Sequence, residues 1–398
     1  MTSVGTGVVA ATGVGLVTPL GDTVDSFMQA LGAGRSSLAA LAGPVPAAGS
    51  LLRDFDATRY ANVRGMRIYN RATRLGICAT RLALQDAGIE GNGFPGERLG
   101  VVMAGTFAHF DTLLEYDRSL VTQGPSRTNP ALMPLAIPSA PGAMIALSFG
   151  AKACSITLAD GGAGGLDAIG LASRLVRGGR VGACVVVSAL AFFDELVLSA
   201  GRAGLLAAAD ELRVFDRRAR GTAFGEGGVA LVLEAADAAR ARGAKVKGLV
   251  LGQASAFGGN ELERGLARAA SRALATADTD AAAIGLCSSG ANGTKAVDAA
   301  EAGALLSVLG ASAEQTPVTA IKAATGDALD ASGLLQTAVA MAALAGHAAP
   351  PIVGLGEPAV PGLGYLTTPT PVRANRALVT ATSLSGACSS LVVGSTNQ

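Results

Sequence analysis

Histidine is the scarcest reactive residue of this 398-residue chain, present only as His109 and His347. Chemistry that needs several imidazoles as bases or metal ligands must use these two or be given up. Cysteine is nearly as limiting. The five cysteines, Cys78, Cys154, Cys184, Cys287 and Cys388, are odd in number, lie at least 30 residues apart and form no CxxC pair. That pattern suggests neither a zinc site nor a disulfide framework, and it fits a reducing cytoplasm. Charge is sparse too: 15% of residues are charged, and 31 basic residues against 30 acidic ones leave a net charge of +1. Disorder is excluded, because disordered chains combine low hydrophobicity with high net charge. Near-neutrality argues against a nucleic-acid binder or a polybasic membrane surface. No membrane-spanning run is expected. The apolar N-terminus lacks a basic region and carries glycines and Pro19, so it does not read as a signal peptide. The apolar stretch from Leu334 to Leu355 contains Gln336, His347, Pro350 and Pro351, which suits a buried helix and loop better than a span.

What is present is apolar bulk. Half of the residues are hydrophobic, and the length exceeds the roughly 250 to 300 residues at which a single core stops growing, so two core units are expected. Short apolar runs such as RLGVVMAG (98–105), GACVVVSA (182–189), GVALVLE (228–234) and KGLVLGQASA (247–256) alternate with Ala/Leu-rich helical stretches around 72–87, 166–176 and 332–344. This alternation predicts an α/β layered fold. The charged segment AADAARARGAKVK (235–247) is the one shift in composition, and it places a boundary between an N-terminal half, 1–243, and a C-terminal half, 244–398. Each half has a glycine-containing turn opening an apolar helix (160–179 and 325–346) and then a closing strand pair, so a duplicated α/β unit is expected. Both central helices are apolar all round and should be buried.

A helix N-terminus behind a glycine-rich turn suits a nucleophile, because free N–H groups and the helix dipole stabilise a thiolate or an oxyanion. Gly161, Gly162, Ala163 and Gly164 hold that place here, and none can attack anything. Cys154 and Cys388 read as small buried hydrophobes. Asp160 and Asp327 read as helix-capping carboxylates, with Lys322 a candidate partner.

Several longer segments, in order, resemble the β-ketoacyl synthases of the thiolase fold. They are the opening stretch from Val8 to Leu38, RVFDRRARGTAFGEGGVALVLE (213–234), GTKAVDAAEAGAL (293–305), IKAATGDALDASG (321–333) and SLSGACSSLVV (383–393). The resemblance implies a thiolase-like fold of two duplicated halves in αβαβα layers. In the family a cysteine takes the acyl chain as a thioester, and two histidines stabilise the charge that develops as malonyl carrier protein decarboxylates and attacks. Those positions fall on Gly162, Gly290 and Asp327; Lys322 matches the family's lysine, and its following glutamate falls on Gln336. With nucleophile and both histidines replaced, the family's acyl transfer has no route.

Such a chain resembles the chain-length factor, the non-catalytic subunit that pairs with an active ketosynthase in type II polyketide and polyene synthases. The resemblance implies a heterodimer with that ketosynthase, indirect contact with an acyl carrier protein, and neither cofactor nor metal. Better-known members carry glutamine where Gly162 stands, so no role of that amide transfers. The segment GTFAHFDTLLEYDRSL (105–120) falls where the family places a tunnel-lining interface helix. On it His109, Thr112, Leu113 and Tyr116, with Phe110 beside them, are expected on one face that limits chain growth or packs the dimer core. Two other readings remain at this level: an acyltransferase using Asp160, Asp327 or Cys154, and a structural or carrier-docking homodimer.

Overall fold

The computed structural model describes residues 7–42, 47–89, 94–208 and 212–396. The apolar runs become strands β1 (Val9–Val17), β2 (Leu99–Ala104), β3 (Cys154–Leu158), β4 (Ala183–Leu190), β5 (Gly227–Ala235), β6 (Gly248–Phe257), β7 (Cys287–Ser288), β8 (Pro317–Thr319), β9 (Gly364–Tyr365), β10 (Arg376–Thr382) and β11 (Ala387–Gly394). They lie in one sheet in the order β9-β8-β7-β10-β11-β6-β1-β5-β4-β2-β3. Its two sides repeat one topology. On one, β3, β2 and β4 are parallel, and β5 and β1 continue antiparallel. On the other, β8, β7 and β10 are parallel, and β11 and β6 continue antiparallel, with β9 added at the edge. Each side thus runs third, second, fourth, fifth, first in chain order, the duplication expected above. Within the sheet, among the described residues, three residue pairs, from Val9↔Val250 to Ala11↔Gly248, join the sides.

The longer helices are α1 (Arg71–Asp86), α2 (Phe110–Gln123), α3 (Ala140–Ser148), α4 (Gly164–Arg177), α5 (Leu262–Thr276), α6 (Lys295–Leu309) and α7 (Asp330–Leu344). Helices α1 and α3 cover the outer face of the first side, α5 and α6 that of the second, and α4 and α7 fill the middle. Period-2 alternation directs the core residues: in β2, Val101 and Met103 face outward to α1 and α3, while Val102 and Ala104 face inward to α4 and α7. Both faces of the strands are covered, which is why they read as continuous apolar runs.

The middle layer is deeply buried. Every residue of α7 from Asp330 to Ala343 is buried, as its all-round apolar pattern requires. The two helices approach through glycines: a Cβ on Gly165 would overlap the Asp330 carbonyl oxygen, and one on Gly333 would press on Leu166 at 3.2 Å. The 235–247 segment forms a short helix, Ala236–Ala241, with Ala236 and Ala239 buried and its charges outward. Among the described residues no helix is long and apolar enough to cross a membrane.

Leu166, fully buried at this contact, is the most direct probe of the middle layer. Leu166→Ala is expected to lower the unfolding free energy by about 2–5 kcal/mol, read as a fall in denaturant midpoint at unchanged slope.

Candidate functional site

The turn before α4 is built around Gly161, whose φ of +61° favours glycine. Its N–H donates to Thr106 Oγ1 at 2.8 Å, and Thr106 in turn binds the Asp330 carboxylate through its N–H (3.0 Å) and its hydroxyl (3.1 Å). Gly162 is buried behind it. A Cβ there would overlap the carbonyl oxygen of Thr382, at the end of β10. The place where a nucleophilic side chain would begin is therefore filled by main chain, and neither a thiol nor a hydroxyl fits without moving β10. Gly164 is closed likewise by the Asp330 carboxylate. Asp160, expected to cap this turn, makes no side-chain cap bond.

Gly290, Lys322 and Asp327 are brought together. Lys322, on a single helical turn (Lys322–Thr325), donates to the Gly290 carbonyl at 2.9 Å and pairs with Asp327 at 3.2 Å, both side chains being buried. Asp327 also accepts from Asn292 Nδ2, Ser332 Oγ and the Leu329 N–H, each at 3.0 Å. Burial pushes its carboxyl upward, but the Lys322 ammonium and these donors together hold it below its ordinary value. A Cβ at Gly290 would lie 2.8 Å from Glu301 Oε1 and 2.9 Å from the Thr380 carbonyl, so this position too is occupied. Glu301, buried on α6, accepts from Ser289 at 2.8 Å and from Thr380. Gln336 on α7 donates to the Ser288 and Thr380 carbonyls at 3.2 and 3.0 Å. The sequence reading missed the parts played by Glu301, Asn292, Asp330 and Thr106. The DAAE spacing put Asp298 and Glu301 on one face of a helix, and polar residues within an apolar helix were the available signal.

The cysteines and His347 lie outside this cluster. Burial raises all five thiols, Cys78 and Cys287 to about 12 and Cys388 to about 11, so none carries appreciable thiolate. Cys154 stands at the opposite end of β3 from Asp160, and Asp327 is committed to Lys322. His347 lies at the surface, 3.3 Å from Asp25.

The structure divides the expected chain-length face. His109 lies outside the helix, at the N-cap of α2, because the chain turns helical only at Phe110. Its ring is buried against Phe110, centroids 5.0 Å apart, and burial lowers its pKa, favouring the neutral imidazole. Thr112 is the one fully buried residue of α2 and faces its own chain, beside Tyr69, Asn70, Thr73 and Met144. Phe110 packs with Phe107 and Phe193 at 4.9 and 6.0 Å. Leu113 and Tyr116 are half-buried.

Comparison with known proteins agrees with this architecture. Residues 7–239 match the N-terminal domain of beta-ketoacyl synthase and residues 244–356 its C-terminal domain. The tetracenomycin polyketide synthase ketoacyl synthase beta subunit of Streptomyces glaucescens is 34% identical over 403 residues, 97% of this chain and 98% of that protein. The 3-oxoacyl-[acyl-carrier-protein] synthase 2 of Synechocystis sp. is 29% identical, over 88% of each chain. Among solved structures, the ishigamide ketosynthase/chain length factor superposes with a TM-score of 0.87 at 25% identity, covering 98% of this chain and 99% of that one. A type II polyketide synthase acyl-carrier protein in complex with its ketosynthase shares the fold, with a TM-score of 0.88 at 22% identity over 98% of this chain and 100% of that one.

Two outcomes follow from the buried charges. Lys322→Met leaves Asp327 without its counter-charge and is expected to destabilise by about 3–5 kcal/mol at neutral pH, part of the loss returning on acidification; denaturant titrations at two pH values read both. Asp330, raised by burial to about 7 despite the bonds from Thr106, holds a proton in the folded state that the unfolded chain releases near pH 4. Its contribution to stability is therefore complete below about pH 4 and is lost as pH rises through 7. In Asp330→Asn, the pH dependence of stability across this window should change by up to ~1.4 kcal/mol per pH unit, measured against wild type.

Proposed function

The chain belongs to the beta-ketoacyl synthase family and has its thiolase-like fold, and on that premise we propose that it is the non-catalytic, chain-length-factor subunit of a polyketide- or polyene-forming ketosynthase pair. One observation carries the reading. The positions that match the family's cysteine and first histidine, Gly162 and Gly290, are closed by the Thr382 carbonyl and by Glu301 with β10, and the position of the second histidine is an aspartate neutralised by Lys322. Acyl transfer through a covalent intermediate has no side chain to use.

The surface supports pairing. Leu113 and Tyr116 of α2 are half-buried, and Leu120 (37% exposed) and Val121 (84% exposed) extend the helix's apolar surface. Beyond them, Met133 and Ile137 are exposed as well. Strand β3 ends the sheet, pairing only with β2, and leaves its outer N–H and C=O groups open. Exposed apolar residues along a helix and an open strand edge are each unfavourable alone and favour a partner subunit. In this proposal the partner is an active ketosynthase whose cysteine carries the growing chain, loaded by an acyl carrier protein that meets this subunit indirectly, all in the cytoplasm. Phe110, Leu113 and Tyr116 close the far end of the tunnel, where a close-packed wall admits no further methylenes. His109 and Thr112 support that wall from behind.

Co-expression with an active ketosynthase from the same source, one whose cysteine and both histidines are intact, tests the proposal. The expected result is a one-to-one complex whose products require the partner's cysteine, with Tyr116→Ala shifting them to longer chains by mass spectrometry. Acyl loading on the isolated chain, or a stable homodimer that ignores the ketosynthase, would overturn the assignment; unchanged product length in Tyr116→Ala would remove the tunnel role.

A further inference from the structure

Well away from the closed turn, at the other end of α4, the chain has a cavity of about 190 Å³ whose chemistry the proposed role does not use. One helical face supplies Gly170, Ser173, Arg174 and Arg177, at spacings of three and four; Gln253 of β6 and Thr276, the last residue of α5, complete it. A Cβ on Gly170 would overlap the Gln253 side chain, so the glycine lets that amide into the site.

The polar groups here are poorly matched by the chain itself. Among the described residues, neither guanidinium has a carboxylate within ion-pair distance; Arg174 reaches only Gln253 Oε1, at 3.4 Å, and Arg177 makes long bonds of 3.2 and 3.4 Å to the Val250 and Leu251 carbonyls. The nearby carboxylate, Asp167, is occupied by Ser255 and Gln253. Burial lowers the Arg177 pKa and the charge of Arg174 lowers it further, as expected of two like charges facing one space; the Asp167 carboxylate acts on Arg174 only from beyond ion-pair distance. Ser173 is 3% exposed, and its hydroxyl has no hydrogen-bond partner. Dipole compensation accounts for arginines in the last turn of a helix, but not for an orphan hydroxyl buried beside them.

We infer that this cavity binds a phosphate group. Two planar guanidinium forks match the oxygens of a tetrahedral oxyanion, and the Ser173 hydroxyl supplies a third donor from the buried side. The volume lies below the ~300–1,000 Å³ of pockets that enclose whole drug-sized ligands. The cavity therefore takes the phosphate alone, free or at the end of a larger molecule whose remainder stays in solvent past the exposed Arg174 and Thr276.

Calorimetric titration of the full chain, alone or with its partner subunit, with inorganic phosphate and with glycerol 3-phosphate at matched chloride ionic strength tests this. Saturable binding is expected, weakened at least ~ten-fold in Arg174→Gln and in Arg177→Gln and several-fold in Ser173→Ala, but unchanged in Arg240→Gln on the surface helix. Arg174 is exposed, so its variant keeps the fold even if that of Arg177 does not. Equal affinity for both probes identifies an ester-bearing ligand, and preference for inorganic phosphate a free-ion site. No saturable binding, or equal binding by Arg174→Gln and Arg240→Gln, overturns the inference.

Discussion

The contact between α4 and α7 governs the rest of the molecule. Two helices buried between two sheet halves can approach this closely only where one offers backbone in place of side chain, and Gly164, Gly165 and Gly333 provide that. The approach puts Asp330 where a side chain of residue 164 would lie. There its carboxyl meets Thr106, which receives the Gly161 N–H, so helix packing and turn conformation are parts of one arrangement. The turn in turn brings Gly162 against the end of β10. A change at any of these contacts would be felt at the others, because a close-packed interior transmits displacement.

The buried charges are organised to be quiet. Lys322, Asp327 and Asn292 form one satisfied group, and Asp298 receives three main-chain N–H bonds, from Phe215, Asn292 and Gly293. Burial still raises Asp298 to about 6. Groups shifted in this way often mark reaction centres. Here Asp298 lines a cavity of about 240 Å³ with Phe215 and Lys295, and its bonds tie together loops from both sides of the sheet. That is structural work, and it fits a family member whose contribution is shape.

Much of this was legible in the sequence. Strands such as 182–189 and helices such as 332–344 stand out because burial on every face leaves an unbroken apolar run. The duplicated halves were visible because each repeats a glycine turn, an apolar helix and a closing strand pair. Three things were not legible. Position 162 lacks a side chain in the sequence, but only the fold shows that the Thr382 carbonyl has taken the space. Asp160 has the sequence context of a cap, yet its side chain makes no cap bond in the fold, and the adjoining Gly161 N–H goes to Thr106, 55 positions away in sequence. Spacing puts His109 in line with a helical face but does not show that it is the N-cap residue of α2, its carbonyl accepting the first helical bond from Leu113.

The position of the Thr382 carbonyl also bears on how this chain can change over generations. A side chain at 162 must displace the end of β10, and one at 290 must displace Glu301 together with Thr380 and Ala381 of the same strand. Each substitution made alone meets an occupied space before it can offer any chemical advantage, and both demand movement of one strand that is hydrogen-bonded on either side. The path toward a reactive side chain therefore passes through less stable intermediates at every first step.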